Sequence, residues 1–320
     1  NWNEILEGIR KQDEVKGDAV VRTEEIKVDQ GQIIVPSRAI IPFKSDFRNG
    51  TPSRLFGSGN DEVVLGLTDR AVTQMCGRLE IPPRYMKRKM DERAWSVVDT
   101  IIRDDLDRHG QRLLLRTIGT QIRAVLSEKY VRLNDADVVS DVVEIVQGRT
   151  EVRWGHVNTD GMWVKATFPD LRFTGPDGSD YFVGMILGNS EVGDRSVSCG
   201  PFIYRKVCTN DMVIVHADAF EHRHIYVDRV QLRYGLKKAI AAAVREGDTF
   251  ADQIQMAMSE SIENPLDVID QIARKARYSK ELTDNVKKSF AVEPMPNKWG
   301  VANALTRAAQ DLEGDRRVEM

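Results

Sequence analysis

The chain has 320 residues, 41% hydrophobic and 30% charged, with a formal net charge of −3. That balance fits one large globular domain or two smaller ones, and no apolar run approaches the length of a membrane span. Three dispersed cysteines, Cys76, Cys199 and Cys208, have no C-x-x-C spacing, which argues against a disulfide framework or a zinc site and for a reducing compartment.

The amphipathic start NWNEILEGIRKQDE predicts a short helix over residues 1–12 rather than a secretory signal, and the missing initiator methionine points to trimming. Strands are expected over 20–28 and 33–41, with a turn at Asp29-Gln30-Gly31. Residues 42–60, rich in Gly, Ser, Pro and Asn, read as a long loop. Thr68 opens a helix through Arg78, Pro82-Pro83 starts a second, and a third is expected near 93–108.

The segment QRLLLRTIGTQIRAVLSEKYVR (111–132) reads as a hairpin turning at Gly119-Thr120. The expected register sets Leu113 opposite Leu126, Leu115 opposite Ala124 and Thr117 opposite Ile122 on an apolar face. It also sets Arg116 directly opposite Arg123 on the other face. Like charges facing each other destabilise a sheet, so an anion, either a carboxylate of the protein or a ligand, is expected over that pair.

Asn134 or Asp135 then caps a helix with a valine-rich stripe, and residues 151–227 form a strand-rich block. Its turns are expected at Thr159-Asp160-Gly161, at 175–178 and over 188–193. From Arg229 onward the chain reads as helices, with starts at a Thr249 cap, at Pro265, at a Ser279 cap and at Asn297, the last running to Gly314. The expected class is α+β, a largely antiparallel sheet with inserted helices and a helical C-terminal region. The division expected is a strand-rich segment and loop over 1–60, a core domain over 61–228 and helices over 229–320.

No phosphate-binding loop, dinucleotide fingerprint, G-x-S-x-G elbow or H-E-x-x-H pair occurs, which argues against nucleotide-driven chemistry and for no cofactor. Charge is unevenly distributed: residues 84–132 hold 12 basic and 7 acidic side chains, and residues 195–238 hold 8 and 4. In FIYRKVC (202–208) the aromatic-plus-lysine face Phe202, Tyr204, Lys206 is what a single-strand groove uses, and equally what an amphipathic strand looks like. His222 and His224 share a strand face flanked by Arg223 and Arg229. They read as a half-buried face, a base-stacking platform or, least readily, a metal site. Glu191 and Asp194 are cation-ligand candidates whose default is a polar turn.

The stretches LRTIGTQIRAVLSEKYVRLNDADV (115–138), GNSEVGDRSVS (188–198) and FIYRKVCTNDM (202–212) resemble a family of unknown function described as phage/plasmid-like proteins. LEIPPRYMK (79–87) and GVANALTRAA (300–309) fit the same pattern, so the resemblance spans roughly 65–312. It implies remote kinship with single-strand annealing recombinases of the RecT, Redβ and Erf groups. The implied protein binds single-stranded DNA without ATP, assembles into a ring or filament and pairs complementary strands in the bacterial cytoplasm. In that reading Arg116, Arg123, Lys129, Arg132, Arg205 and Lys206 contact phosphate, Tyr130, Phe202 and Tyr204 stack on bases, and Arg223 assists. The alternatives are a phage structural or host-interaction protein whose basic strips pair with its own acidic helices, and a metal-dependent nuclease.

Overall fold

The computed structural model describes residues 1–42, 61–175, 177–205, 220–226, 228–245 and 247–310. Residues 43–60 of the expected 42–60 loop, Lys206, Cys208 and residues 311–314 of the expected last helix lie outside the described residues.

The chain opens with α1 (Trp2–Asp13), set by a capping box in which the Glu4 amide donates to Asn1 Oδ1 at 3.0 Å. Four short strands follow: β1 (Lys16–Arg22), β2 (Lys27–Asp29), β3 (Gln32–Pro36) and β4 (Ile40–Pro42). Each of the two strands expected here is split by one 3₁₀ turn, Thr23–Glu25 or Ser37–Ala39. The second turn carries the chain across the sheet, because β3 and β4 lie near opposite edges. Next come β5 (Glu62–Leu67), α2 (Asp69–Arg78), α3 (Pro83–Asp91), α4 (Trp95–His109) and the hairpin β6 (Arg112–Ile118) and β7 (Gln121–Ser127).

These strands form a seven-stranded sheet in the order β2-β3-β5-β7-β6-β1-β4. All its pairings are antiparallel except β5 with β7. The N-terminal strands flank the hairpin on both sides, so the division expected at residue 60 does not separate a unit. Ala19, Val21, Leu65, Leu113, Leu115, Ile122 and Val125 meet Val72, Met75, Met86, Val98 and Ile102 of α2–α4 in one core.

The second layer begins with α5 (Asp135–Val146) and continues as β8 (Glu151–Val157), β9 (Gly161–Thr174), β10 (Asp180–Ser190), β11 (Val197–Arg205) and β12 (Phe220–His222). They form an antiparallel sheet in the order β12-β11-β10-β9-β8. Gly188, expected in a loop, is inside β10. The helices α6 (Arg229–Arg245), α7 (Gly247–Ser259), α8 (Pro265–Ala276), α9 (Lys280–Val292) and α10 (Lys298–Gln310) complete the chain. One face of the second sheet (Met162, Val164, Ala166, Met185, Leu187, Cys199) packs on α1, α5 and α6. Its end, at Tyr181, Val183 and Ile203, packs on Phe250, Ile254 and Trp299 of α7 and α10. The fold is α+β, with two mostly antiparallel sheets. Among the described residues no helix is long and apolar enough to cross a membrane.

Candidate nucleic-acid interface

The hairpin turns where expected, but its register differs. Thr117 faces Ile122, and a β-bulge then shifts the ladder so that Arg116 faces Ala124, Leu115 faces Val125 and Leu114 faces Leu126. The bulge places two residues against one and reverses the faces of the residues beyond it. Val125 therefore joins the core under α2–α4, while Ala124 and Leu126 lie on the other face with Leu114 and Val192.

Arg116 and Arg123 meet their anions inside the protein. Their exposures are 0% and 1%. Arg116 Nε donates to Asp18 Oδ1 of β1 at 2.9 Å, Nη1 to the Glu191 carbonyl at 2.8 Å, and Nη2 to Asn134 Oδ1. Arg123 Nη2 donates to Glu191 Oε2 at 2.7 Å, and Nη1 to the Thr159 carbonyl. Lys16 Nζ sits 2.9 Å from the same carboxylate oxygen and 3.1 Å from Asp13. The other oxygen of Glu191 accepts the Asp135 amide at 2.8 Å, so this carboxylate caps α5 from outside the helix. Asn134 occupies the N-cap position without capping, since its side chain is turned to Arg116.

Burial pushes the Glu191 carboxyl up, but Arg123, Lys16 and Arg116 together outweigh it and hold the group down at about 2. Asp135 is driven well above the carboxylate range by burial and then by the Glu191 charge. Glu191 is thus an internal counter-ion rather than a cation ligand, and Asp194 pairs with Arg70. Among the described residues no three His, Cys, Asp or Glu side chains gather as a metal site.

Two more of the expected contact residues are internal. Arg205, 3% exposed, is clamped by Asp177 at 2.6 Å and Glu293 at 2.9 Å. Phe202 is fully buried with its ring over Gly184. As they stand, Arg116, Arg123 and Arg205 are neutralised by the chain's own carboxylates, and Phe202 presents no ring face to a base.

Others gather at an edge. The Tyr130–Ile225 bridge and a 2.7 Å bond from the Val131 amide to the His224 carbonyl bring exposed Lys129 and Arg132 beside exposed Arg223. Tyr130 stacks on His224 at 4.9 Å and donates to the Ser190 carbonyl at 3.0 Å. His224 is buried, and burial lowers its imidazole to about 4, so it is neutral in the fold.

Tyr204, the remaining residue, leads to a surface that was not singled out in the sequence. Cross-strand partners share a sheet face. Phe182 faces Tyr204, Gly184 faces Phe202, and Gly188 faces both Trp163 and Ser198. Trp163 also faces His156, and Lys165 faces Trp154 and Ile186. Trp154, His156, Trp163, Phe182 and Tyr204 therefore line the side of the second sheet opposite α5 and α6, and all five are partly exposed.

Cations are interleaved with these rings. At the bulge between Val152 and Trp154, Arg153 carries its guanidinium 5.5 Å from the Phe182 ring centre and 5.3 Å from that of Tyr204. Arg195 lies 4.9 Å over Trp163, and buried Lys165 lies 5.2 Å from Trp154 and 5.8 Å from Phe202. Gly184 and Gly188 let rings lie flat, since a Cβ at either would run into Phe202 or Trp163. The sequence signal was the same-parity alternation of W-x-H at 154–156, W-x-K at 163–165, F-x-G at 182–184 and F-x-Y at 202–204.

No family model, no curated protein and no solved structure matches the chain.

Proposed function

We propose that this chain binds single-stranded nucleic acid along the aromatic face of its second sheet. The observation that carries this reading is the row of five partly exposed rings, Trp154, His156, Trp163, Phe182 and Tyr204, on adjacent strands with Arg153 and Arg195 among them. Unpaired bases stack on such rings irrespective of sequence, while guanidinium groups neutralise the backbone. Lys129, Arg132 and Arg223, exposed at the edge of the same sheet, extend the electrostatic contact. Pairing of complementary strands without ATP, in a phage or mobile-element setting and as a ring or filament, is proposed on the sequence resemblance alone.

The test is fluorescence titration with a single-stranded oligonucleotide at increasing salt. Binding should quench tryptophan emission and weaken steeply with salt. Trp154→Ala with Trp163→Ala should weaken it at least about tenfold, stacking being worth roughly 1–3 kcal/mol per base. Absence of binding at low salt would remove the proposal.

A second reading, a structural or host-interaction protein, is favoured by the chain's habit of pairing its cations internally. Beyond the hairpin and Arg205, Arg229 and Arg233 of α6 are held by Asp137, Asp141 and Glu144. A chain that melts cooperatively yet ignores oligonucleotide at low salt would support this alternative.

A further inference from the structure

The segment RKARYSK (274–280) holds four cations and no carboxylate in a chain of net charge −3. It forms the turn between α8 and α9. Arg277 takes a left-handed φ of 57° to end α8, and Ser279 accepts the Leu282 amide at 3.1 Å to begin α9. Ile269, Val286 and Phe290 pack with Val301, Ala304 and Ala308, which makes the turn a rigid mount.

A cleft of about 550 Å³ opens there, bordered by Arg274, Arg277, Lys280, Lys287, Asp270 and Asp284. Asp270 is engaged by Lys287 at 2.7 Å. Among the described residues, Arg274, Arg277 and Lys280 have no ion-pair partner. The dipole of α8 accounts for cations in its last turn, at Arg274 and Lys275. It does not account for Lys280, which occupies the first position of α9, the positive end of that helix. Three cations converging on one cleft, one of them against a helix dipole, are accommodated by an anion placed among them. Arginine forks and first-turn amides suit the oxygens of a phosphoryl group in particular.

We propose that the α8–α9 cleft binds a phosphoryl-bearing anion through Arg274, Arg277 and Lys280. The phosphate comes either from a free polyphosphate-type ligand or from a nucleic-acid backbone. Titration calorimetry of the full chain with tripolyphosphate tests the site. Saturable one-site binding is expected, weakened about tenfold or more in the triple variant Arg274→Ala, Arg277→Ala, Lys280→Ala. It should be unchanged in the control Arg10→Ala, Lys11→Ala on the exposed side of α1. All three cleft positions are exposed, so both variants should melt as the parent does.

A parallel salt titration with single-stranded oligonucleotide distinguishes the sources. A strand seated in the cleft loses about two from its logarithmic salt slope in the triple variant, at roughly 0.7 per phosphate contact. A free ligand leaves that slope unchanged. No saturable tripolyphosphate binding, or equal binding by parent and triple variant, overturns the proposal whatever the oligonucleotide does on the aromatic face.

Discussion

Glu191 holds more of this molecule together than any neighbour in its own segment would indicate. Its two oxygens meet Arg123, Lys16 and the first amide of α5, all buried. Removing one partner of such a cluster leaves uncompensated charge in the interior. Glu191→Gln should therefore lower unfolding free energy by about 3–5 kcal/mol in urea titrations at pH 7. Because its carboxyl is held at about 2, below an ordinary 4.5, its contribution is complete above pH 4.5 and is lost as pH falls towards 2. The gap between parent and Glu191→Gln should close over that window; a gap constant with pH would contradict the assignment. Asp135 has the opposite sign. Its raised carboxyl favours the protonated form in the fold, so stability is lost as pH rises above 3.8. Asp135→Asn, uncharged at every pH, should melt at or above the parent at pH 7, and a large loss there would show that the charge is needed.

In the second sheet the rings of Phe202 and Trp163 lie close over glycine at two positions, and Arg153 is placed by a bulge. A Cβ at Gly184 would meet the Ala166 carbonyl as well as the Phe202 ring, and the backbone of a central strand has little room to give. Gly184→Ala should cost about 1–3 kcal/mol, read as a lower denaturation midpoint. Gly77 on α2 is the contrasting case: a Cβ there meets nothing within 4 Å, so Gly77→Ala should raise stability by roughly 0.5–1 kcal/mol. Arginines on both exposed elements are engaged within the chain: Arg153 of the aromatic strands lies 3.0 Å from Glu151, and the N-terminal half of α6 turns its arginines to α5.

Across the whole molecule, the ion cluster lies where the two sheets meet. Asp18, Arg116 and Arg123 come from the seven-stranded sheet, and Glu191 follows the last residue of β10 in the other. Cutting it should loosen the sheets together, so Arg116→Ala with Arg123→Ala should lower the melting temperature markedly. Were the anion over the pair a ligand, the other option the sequence left open, the double variant would lose no stability. An unchanged melting temperature with weaker oligonucleotide binding would point to that arrangement. The two remaining candidate surfaces, the aromatic face and the α8–α9 cleft, are on different parts of the fold, which is why separate variants can test them.

Local chemistry made much of the fold legible. The helix starts at Thr68 and Ser279, the turn at Gly119-Thr120 and the switch from strands to helices at Arg229 all stand in the structure as read. So does the need for an anion over Arg116 and Arg123, since like charges on one sheet face demand it from composition alone. The source of that anion was not legible. Asp18 is 98 residues from Arg116, and Glu191 is 68 from Arg123. Nothing local marks either carboxylate as the partner. The bulge that reversed residues 124–126 and the rows joining Trp154, Trp163, Phe182 and Tyr204 were likewise settled by strand pairing. Side-chain period and caps act over a few residues, whereas register, burial and charge neutralisation are determined only when distant strands come into contact.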